Sequence, residues 1–583
     1  MLRATAIFIG AGLLAWGCSS LSASSDQCKV DSDCEPILGL APGQAICELG
    51  QCSRKGQITP GTDDAGSTVA ACVSTDQCTT DLGSPAVCLK PGVDPCIKLT
   101  SPECPEVSPN FNKGNPVFVG VLTDTTVVQG GVETDNAYDQ TVSNGAKLAL
   151  EEWDTQTGGG ITSGTVRRPI VGIFCNGKLT PSTREAAYDH LSKRVGVQAV
   201  VVRSTDMANA IAARSTAEDR LLYCTDCESA ATAVGISTKG LVWHQSPSAL
   251  LDIPARVDWA LRTERRIRAQ RELASSTQLK AVFLSITDSG YSEWTAASVA
   301  ALRINGKTAA ENGDNFVRIA RPSSDTDGIK LAREIVALKP DLVIGSGYGT
   351  YWHQQVMPAI EAYWPANVPR PHYIMGTDEV AYADRWRYSV GSNDNLRARF
   401  QGTWLADEPL DYAAYDEFDA NYKARFSASS QGITNGYDAM QVLGYAIAGA
   451  VSAPTTVQDR LAGSDIARQF QRLVPGTDDG TPRPLTLVRP SSIKNGLSVL
   501  AAGKGLDLQG CLSNLDWNAT TGLILANVET YCGVRDPETR IVHPNDTGIV
   551  YHTRTGKFVS NDDESVELPA SHLGDEDVYP ECF

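Results

Sequence analysis

The sequence Cys224-Thr225-Asp226-Cys227 places two thiols close together, directly after an apolar run at residues 221–223. Cysteines at this spacing form a structural disulfide, act as a redox pair where a helix N-terminus lowers one thiol pKa, or bind a metal with further ligands. Cys175, at the end of another apolar run, is the candidate further ligand. We expect a structural disulfide between Cys224 and Cys227, and the redox and metal interpretations stay open.

Motifs of common enzymes are missing from the sequence. It contains no G-x-S-x-G elbow, no P-loop and no H-E-x-x-H motif, and its 7 histidines are scattered. The run Gly345-Ser346-Gly347-Tyr348-Gly349 superficially resembles a dinucleotide loop but lacks the third glycine at the required spacing. We therefore expect no enzymatic activity, no cofactor and no metal.

The N-terminus has the features of an export signal. Arg3 precedes an apolar stretch at residues 6–14 that is too short to span a bilayer, and Ala15-Trp16-Gly17-Cys18 follows. The segment resembles a bacterial lipoprotein signal, which implies that cleavage leaves Cys18 as a lipidated first residue. The alternative is an ordinary signal peptide whose removal also removes Cys18. Ser19 is typical of an outer-membrane address, so we expect a periplasmic or outer-membrane location.

Cysteines are concentrated after this signal, as expected of a chain in an oxidising compartment. Of the 16 in the chain, a dense group lies between residues 28 and 104, where small units depend on disulfides more than on a core. A metal is the competing interpretation, but closely spaced ligand pairs are mostly missing and the region contains no histidine. We expect a disulfide-rich stalk over residues 19–112, with a role in protein binding left open.

The length and the charge of the chain argue against further classes of protein. The chain has 583 residues, 42% hydrophobic and 20% charged, which predicts two or more globular units. Its 50 Lys and Arg against 68 Asp and Glu give a formal net charge of −18. This balance argues against nucleic acid or an anionic lipid surface as the main partner.

From residue 116 onward, apolar strands alternate with amphipathic helices, the pattern of a parallel sheet covered on both faces. One such series covers residues 117–244 and a second begins at residue 280, which predicts two α/β lobes with a ligand cleft at the carboxyl ends of their strands. We expect a signal at 1–18, the stalk at 19–112, a first lobe at 113–250 with about 378–490, and a second lobe at 251–377 with about 491–583.

The order of local motifs resembles type 1 periplasmic solute-binding proteins of the branched-chain amino acid and amide class, the recognition subunits of ABC transporters. The resemblance covers residues 116–532, and no single motif in it is specific. The motifs are VGVL at 119–122, NGA at 144–146, LALEE at 148–152, DSGYSEW at 288–294, DLV at 341–343, GYDA at 436–439 and LDW at 515–517. The resemblance implies the type 1 fold, two lobes that close around a small ligand, and an ABC permease as partner.

The resemblance also implies which residues contact the ligand. Backbone N–H groups and hydroxyls at helix N-termini hold a ligand carboxylate in the related proteins, and the matching positions are Ser204, Thr205 and the turn at 225–229, which includes Asp226 and Ser229. Ser204 or Thr205 could instead cap its helix, and the two roles are compatible. Asp378 matches the acid that pairs with a ligand ammonium, although Glu379 is adjacent and a shift by one residue is open.

Further positions follow from the same comparison and from the cysteine spacing. Tyr291 and Tyr348 match aromatic residues that line the cleft, with burial in the core as the alternative. If Cys224 and Cys227 form a disulfide, Cys175 has no partner among these three cysteines and could pair with Cys104. Cys511 and Cys532 flank the LDW motif, and we expect them to form a disulfide.

The sequence therefore predicts a lipid-anchored protein that binds a small polar ligand, such as an amino acid or an amide, for import through an ABC permease. The alternative is a sensor or surface receptor with the same fold and no transporter. A structural or adhesion protein that has lost its ligand, and a hydrolase, are less well supported, because neither has a sequence feature in its favour.

Overall fold

Apolar runs of the sequence form the strands of two large sheets in the computed structural model of the chain. The structure describes residues 45–48, 51–54, 71–129, 131–163, 166–229, 240–287, 289–322, 327–345, 351–376, 390, 393–406, 412–453, 461–535, 542–553 and 555–560.

The strands are β1 Ala45–Glu48, β2 Gln51–Arg54, β3 Ala86–Val87, β4 Ile97–Lys98, β5 Glu106–Val107, β6 Val117–Thr123, β7 Thr126–Gln129, β8 Val132–Asp135, β9 Ile161–Ser163, β10 Val166–Arg168, β11 Ile170–Asn176, β12 Ala199–Ser204, β13 Leu221–Asp226, β14 Val242–His244, β15 Ala281–Ile286, β16 Phe316–Arg321, β17 Leu342–Gly345, β18 His372–Met375, β19 Phe400–Ala406, β20 Thr477–Asp478, β21 Thr481–Pro482, β22 Leu485–Leu487, β23 Asp507–Gln509, β24 Asn527–Arg535, β25 Val542–His552 and β26 Lys557–Ser560. The α-helices are α1 Thr75–Leu82, α2 Ala137–Thr157, α3 Pro181–Asp189, α4 Thr205–Ala217, α5 Ile253–Gln270, α6 Ser289–Ala301, α7 Ala309–Asn312, α8 Gly328–Leu338, α9 Met357–Tyr363, α10 Asp394–Arg397, α11 Ala413–Phe426, α12 Asn435–Ser452, α13 Gly463–Ala467 and α14 Pro490–Ala501.

The first sheet has the strand order β14-β13-β12-β6-β11-β5. Strands β6 and β11–β14 are parallel, and β5 adds to the edge in the antiparallel direction. Every residue of β6 is buried, as expected for a central parallel strand covered by helices on both faces. Numbered within this lobe, the parallel strands follow the doubly wound order 2-1-3-4-5.

The second sheet has the order β16-β15-β17-β18-β19-β24-β25-β26. Strands β15–β19 are parallel and again follow the order 2-1-3-4-5, while β24, β25 and β26 extend the sheet in antiparallel pairs. The two α/β lobes that the sequence predicts are therefore present, each built on its own parallel sheet.

The chain passes between the two sheets between His244 and Ile253, between Ala406 and Ala413, and between Ile524 and Asn527. The helices α11, α12 and α14 return to the first lobe, where their apolar side chains share one core with the first sheet. Both lobes are thus assembled from separate parts of the chain, which is why the lobe boundaries cannot be placed at a single position.

Helix α12 lies against α2 at close range because of glycine. A Cβ atom at Gly436 would lie 1.9 Å from the carbonyl oxygen of Val142, and one at Gly444 would lie 2.1 Å from the ring of Trp153. Any larger residue would push the two helices apart, so the small residues of α12 fix its position in the first lobe.

Residue contacts divide the chain into two units. The smaller unit consists of Met1–Cys72 and Lys90–Pro95, and its described part includes the antiparallel pair β1–β2. The larger unit consists of Val73–Leu89 and Cys96–Phe583, and it includes helix α1 and the disulfide between Cys78 and Cys96.

The end of the segment expected to be a stalk is part of the first lobe instead. Leu99 and Cys104 are buried in the core on one face of the first sheet, and β5 pairs with β11. A disulfide joins Cys104 to Cys175, the pairing that the sequence left as a possibility. The boundary expected at residue 112 is therefore wrong, because apolar contacts and a covalent bond attach the preceding residues to the lobe.

Two further expectations about the C-terminal half are wrong. Strand β19, expected in the first lobe, pairs with β18 and β24 of the second sheet, whereas α14, expected in the second lobe, packs on the first. Cys511 is a buried free thiol, and Cys532 belongs to a disulfide with another partner. The physical reason is that Cys511 lies in the core of the first lobe while Cys532 lies on β24 of the second.

Within the described ranges, no helix combines the length and the apolar character needed to cross a bilayer.

Removing the disulfide between Cys104 and Cys175 should destabilise the protein. The two residues are separated by 71 positions, so the cross-link restricts a long loop of the unfolded chain. We expect the Cys104→Ser/Cys175→Ser variant to lose about 2–4 kcal/mol of unfolding free energy in urea. The matched control is Cys78→Ser/Cys96→Ser, whose two residues are 18 positions apart and lie outside the two large sheets. This control should lower the urea midpoint of unfolding less. Equal midpoints for wild type and the first variant would contradict this account.

Candidate functional site

The candidate site lies at the carboxyl ends of the first-lobe strands. Strand β12 ends at Ser204 and β13 ends at Asp226, and because these strands are parallel their ends meet at the same edge. Ligands of doubly wound sheets bind outside this edge. The polar residues that follow the strands are therefore the ones to consider.

Five polar residues meet at this edge, and we call them the Arg203 cluster: Tyr138, Asp139, Arg203, Asp226 and Asn435. Nε of Arg203 lies 3.1 Å from Oδ1 of Asp139 and 3.3 Å from Oδ2 of Asp226. The Tyr138 hydroxyl donates to Oδ2 of Asp226 at 3.1 Å, and the Asn435 amide donates to Oδ1. Cζ of Arg203 lies 4.8 Å from the centre of the Tyr138 ring.

Sequence and fold together explain why these residues meet. Asn136 caps the start of α2 and brings Tyr138 and Asp139 to the first turn of that helix. Asn435 is the first residue of α12, and Arg203 directly precedes Ser204, the N-cap of α4. Three helix N-termini, with their positive dipole ends, thus lie next to the cluster.

The cluster holds two carboxylates and one guanidinium in a largely buried place. Burial raises the pKa of Asp139 and of Asp226, and the nearby Arg203 opposes this shift. Burial also disfavours the charged guanidinium, but Asp139 and Asp226 outweigh that effect and raise the pKa of Arg203. Arg203 is therefore a cation whose position is fixed by two acids.

The first-lobe residues predicted to contact a ligand all lie at this edge. The Ser204 hydroxyl accepts a hydrogen bond from the Met207 N–H at 3.4 Å, so it caps α4. Thr205 is the first residue of α4 and is buried. Asp226 belongs to the Arg203 cluster, and the Ser229 hydroxyl donates to Oε2 of Glu293 on α6 at 2.9 Å. Ligand contact by these residues stays a prediction.

The other predicted residues lie outside the part of the chain whose side chains the structure describes. Tyr291 lies in α6, and its side chain is outside the described part. Tyr348, Asp378 and Glu379 lie outside the described residues, as does Cys18.

The Cys224–Cys227 turn carries the disulfide that the sequence predicts, and both cysteines are buried. Cys175 is bonded to Cys104, so it is not available as a third metal ligand beside them. The disulfide closes the turn that contains Asp226.

Sequence reasoning missed Tyr138, Asp139, Arg203 and Asn435. Arg203 gave one signal, because it is a charged residue that closes the apolar run Val200-Val201-Val202 directly before a helix cap. The sequence contains no such signal for Tyr138, Asp139 and Asn435, since their significance depends on contacts with side chains that are distant in sequence.

Solved structures of solute-binding proteins resemble this chain. Leucine-binding protein LivK of Thermotoga maritima has a TM-score of 0.44 at 13% identity, with 71% of this chain and 95% of that chain covered. LivJ of Streptococcus pneumoniae in complex with isoleucine has a TM-score of 0.43 at 11% identity, with 74% and 99% covered. A solute-binding protein of Rhodopseudomonas palustris in complex with p-hydroxybenzoic acid has a TM-score of 0.46 at 12% identity, with 75% and 97% covered. No protein-family model and no curated protein matches the chain.

Next to this site, a buried ion pair should be required for stability. Arg184 pairs with Asp124, which follows β6, and their side chains are 10% and 3% exposed. We expect Arg184→Leu to cost about 3–5 kcal/mol of unfolding free energy, because it leaves the Asp124 carboxylate buried without a cation. Lys423→Leu, which breaks the solvent-exposed pair with Asp419, should cost less than about 1 kcal/mol. Similar losses in the two variants would contradict this difference.

Stability should also depend on pH through His244, which pairs with Cys224 across β13 and β14. Burial lowers the pKa of His244 to about 4, so the folded protein keeps this ring neutral where the unfolded chain protonates it. Its contribution is present above about pH 6.5 and is lost as the pH falls toward 4.

His244→Leu should therefore flatten the decline in unfolding free energy between pH 6.5 and 4, as measured by urea denaturation at several pH values. From pH 7 to 8, the variant and wild-type curves should run parallel. Identical slopes in the acidic range would rule out His244 as a source of acid sensitivity.

Proposed function

We propose that this protein is an extracytoplasmic solute-binding protein that captures a small polar ligand between its two lobes and performs no catalysis on it. The observation that carries the proposal is the set of polar groups and helix N-termini gathered at the carboxyl edge of the first sheet, around Arg203 and Asp226. Charge held in a buried position at the ligand-binding edge of a doubly wound sheet is typical of a functional site.

The segmented lobes support binding by closure. The connections between the sheets at 244–253 and 524–527 are short stretches that can act as hinges. Ser229 of the first lobe contacts Glu293 on α6, which follows the first strand of the second, so the two lobes approach each other beside the site. A ligand that binds both sides would favour the closed arrangement by its higher affinity for it.

The disulfides support a location outside the cytoplasm. The bonds Cys78–Cys96, Cys104–Cys175 and Cys224–Cys227 require an oxidising compartment. Lipidation at Cys18, residence in the cell envelope of a bacterium and delivery of the ligand to an ABC permease belong to this proposal. A sensor without a transporter would use the same site. If the ligand-loaded protein does not bind a permease, that result favours the sensor.

Binding should appear as thermal stabilisation of the purified protein. The first probes are leucine, isoleucine and p-hydroxybenzoate, followed by amides, and a probe at 100 times its dissociation constant should add about 2.7 kcal/mol. The probe should be recovered unchanged. Calorimetry that detects no binding of any amino acid, aromatic acid or amide would overturn the proposal.

A matched pair of variants tests the expected ammonium contact. If amino acids bind, Asp378→Ala should abolish the shift and Glu379→Ala should preserve it. The reverse result would move the contact to Glu379.

A further inference from the structure

Arg203 has hydrogen-bonding capacity that the protein does not use. Its contacts with Asp139 and Asp226 are made through Nε, and in the described part of the chain Nη1 and Nη2 donate no hydrogen bond. The side chain is 32% exposed, whereas that of Asp139 is fully buried. The two amino groups of the guanidinium are therefore accessible at the ligand-binding edge.

The guanidinium is also held in one orientation before any ligand arrives. Nε lies between two carboxylates, and the Tyr138 ring packs against the guanidinium. These partners are fixed in turn, because Asp139 accepts the Asp124 N–H at 2.6 Å and Asp226 accepts from Tyr138. An arginine that is already ordered loses little side-chain entropy when it binds a ligand.

We propose that Nη1 and Nη2 of Arg203 bind a carboxylate of the ligand, so that the site selects acids over the corresponding amides. This inference rests on the proposed function and narrows its ligand class. A planar guanidinium with two parallel N–H donors matches the two oxygens of a carboxylate. An amide offers one oxygen and an NH₂ group, which would place donor against donor.

Electrostatics at this edge permits a bound anion. The acids of the Arg203 cluster exceed its guanidinium by one charge, and the adjacent pair of Asp124 and Arg184 is balanced. The positive ends of α2, α4 and α12 lie next to the cluster and offset this excess. The N–H groups of Arg203 and the first turn of α4, which begins at Thr205, can then act on the same carboxylate.

The test compares matched ligands on the wild-type protein by isothermal titration calorimetry. The pairs are isoleucine with isoleucinamide and p-hydroxybenzoate with p-hydroxybenzamide. For a pair whose acid binds, we expect the acid to bind at least about 10-fold more tightly than the amide, as for hydrogen bonds to a charged group. Equal binding of acid and amide would overturn the inference and leave the proposed function intact. If no amino acid, aromatic acid or amide binds, the proposed function itself fails.

Variants of Arg203 assign the preference to this residue. Arg203→Gln should weaken acid binding about 10- to 100-fold and change amide binding less than about 3-fold. Arg203→Lys keeps the charge between Asp139 and Asp226 but lacks the planar fork, so it should retain part of the preference. Arg425→Gln, at an exposed arginine that pairs with Glu151, is the matched control and should bind both ligands as wild type does.

Circular dichroism and thermal unfolding establish whether each variant folds. If Arg203→Gln does not fold, Arg203→Lys decides the assignment, because it preserves the cation that the two acids require. An Arg203→Lys protein with the full wild-type preference, or an Arg203→Gln protein that loses acids and amides equally, would overturn the role of Arg203.

Discussion

The contact of Arg203 with Asp139 and Asp226 holds together the edge of the first lobe where ligands of such sheets bind. It joins two neighbouring parallel strands, β12 and β13, to the first turn of α2, and Asn435 adds the first turn of α12. A guanidinium between two largely buried acids carries a desolvation cost, and removing it would leave both acids without a cation. The fold thus keeps this guanidinium between the two acids despite its desolvation cost.

Two disulfides of the structure act on the first lobe. Cys224–Cys227 closes the turn after β13, and Cys104–Cys175 attaches the cysteine-rich segment at the end of β11. The second lobe has a sheet of its own and is linked to the first through the connections between the sheets.

Much of the architecture could be predicted from the sequence, because parallel strands buried on both faces leave long apolar runs such as Val117–Thr123. The helix start at Ser204 was also predictable from its cap. The hairpin of β7 and β8 was not, since its strands are short and β8 is exposed throughout. The predicted lobe of a segment is wrong where the chain crosses between the sheets. The predicted disulfide between Cys511 and Cys532 is wrong for the same reason, because the two residues lie in different lobes. Arg203 was missed because its acidic partners are distant in sequence.

The most direct measurement is a crystal structure of the protein with the tightest-binding carboxylate from the panel. We expect the ligand between the two lobes, with its carboxylate oxygens about 2.7–2.9 Å from Nη1 and Nη2 of Arg203. A ligand bound away from the carboxyl edge of the first sheet, or a cleft filled by the protein's own side chains, would contradict this expectation.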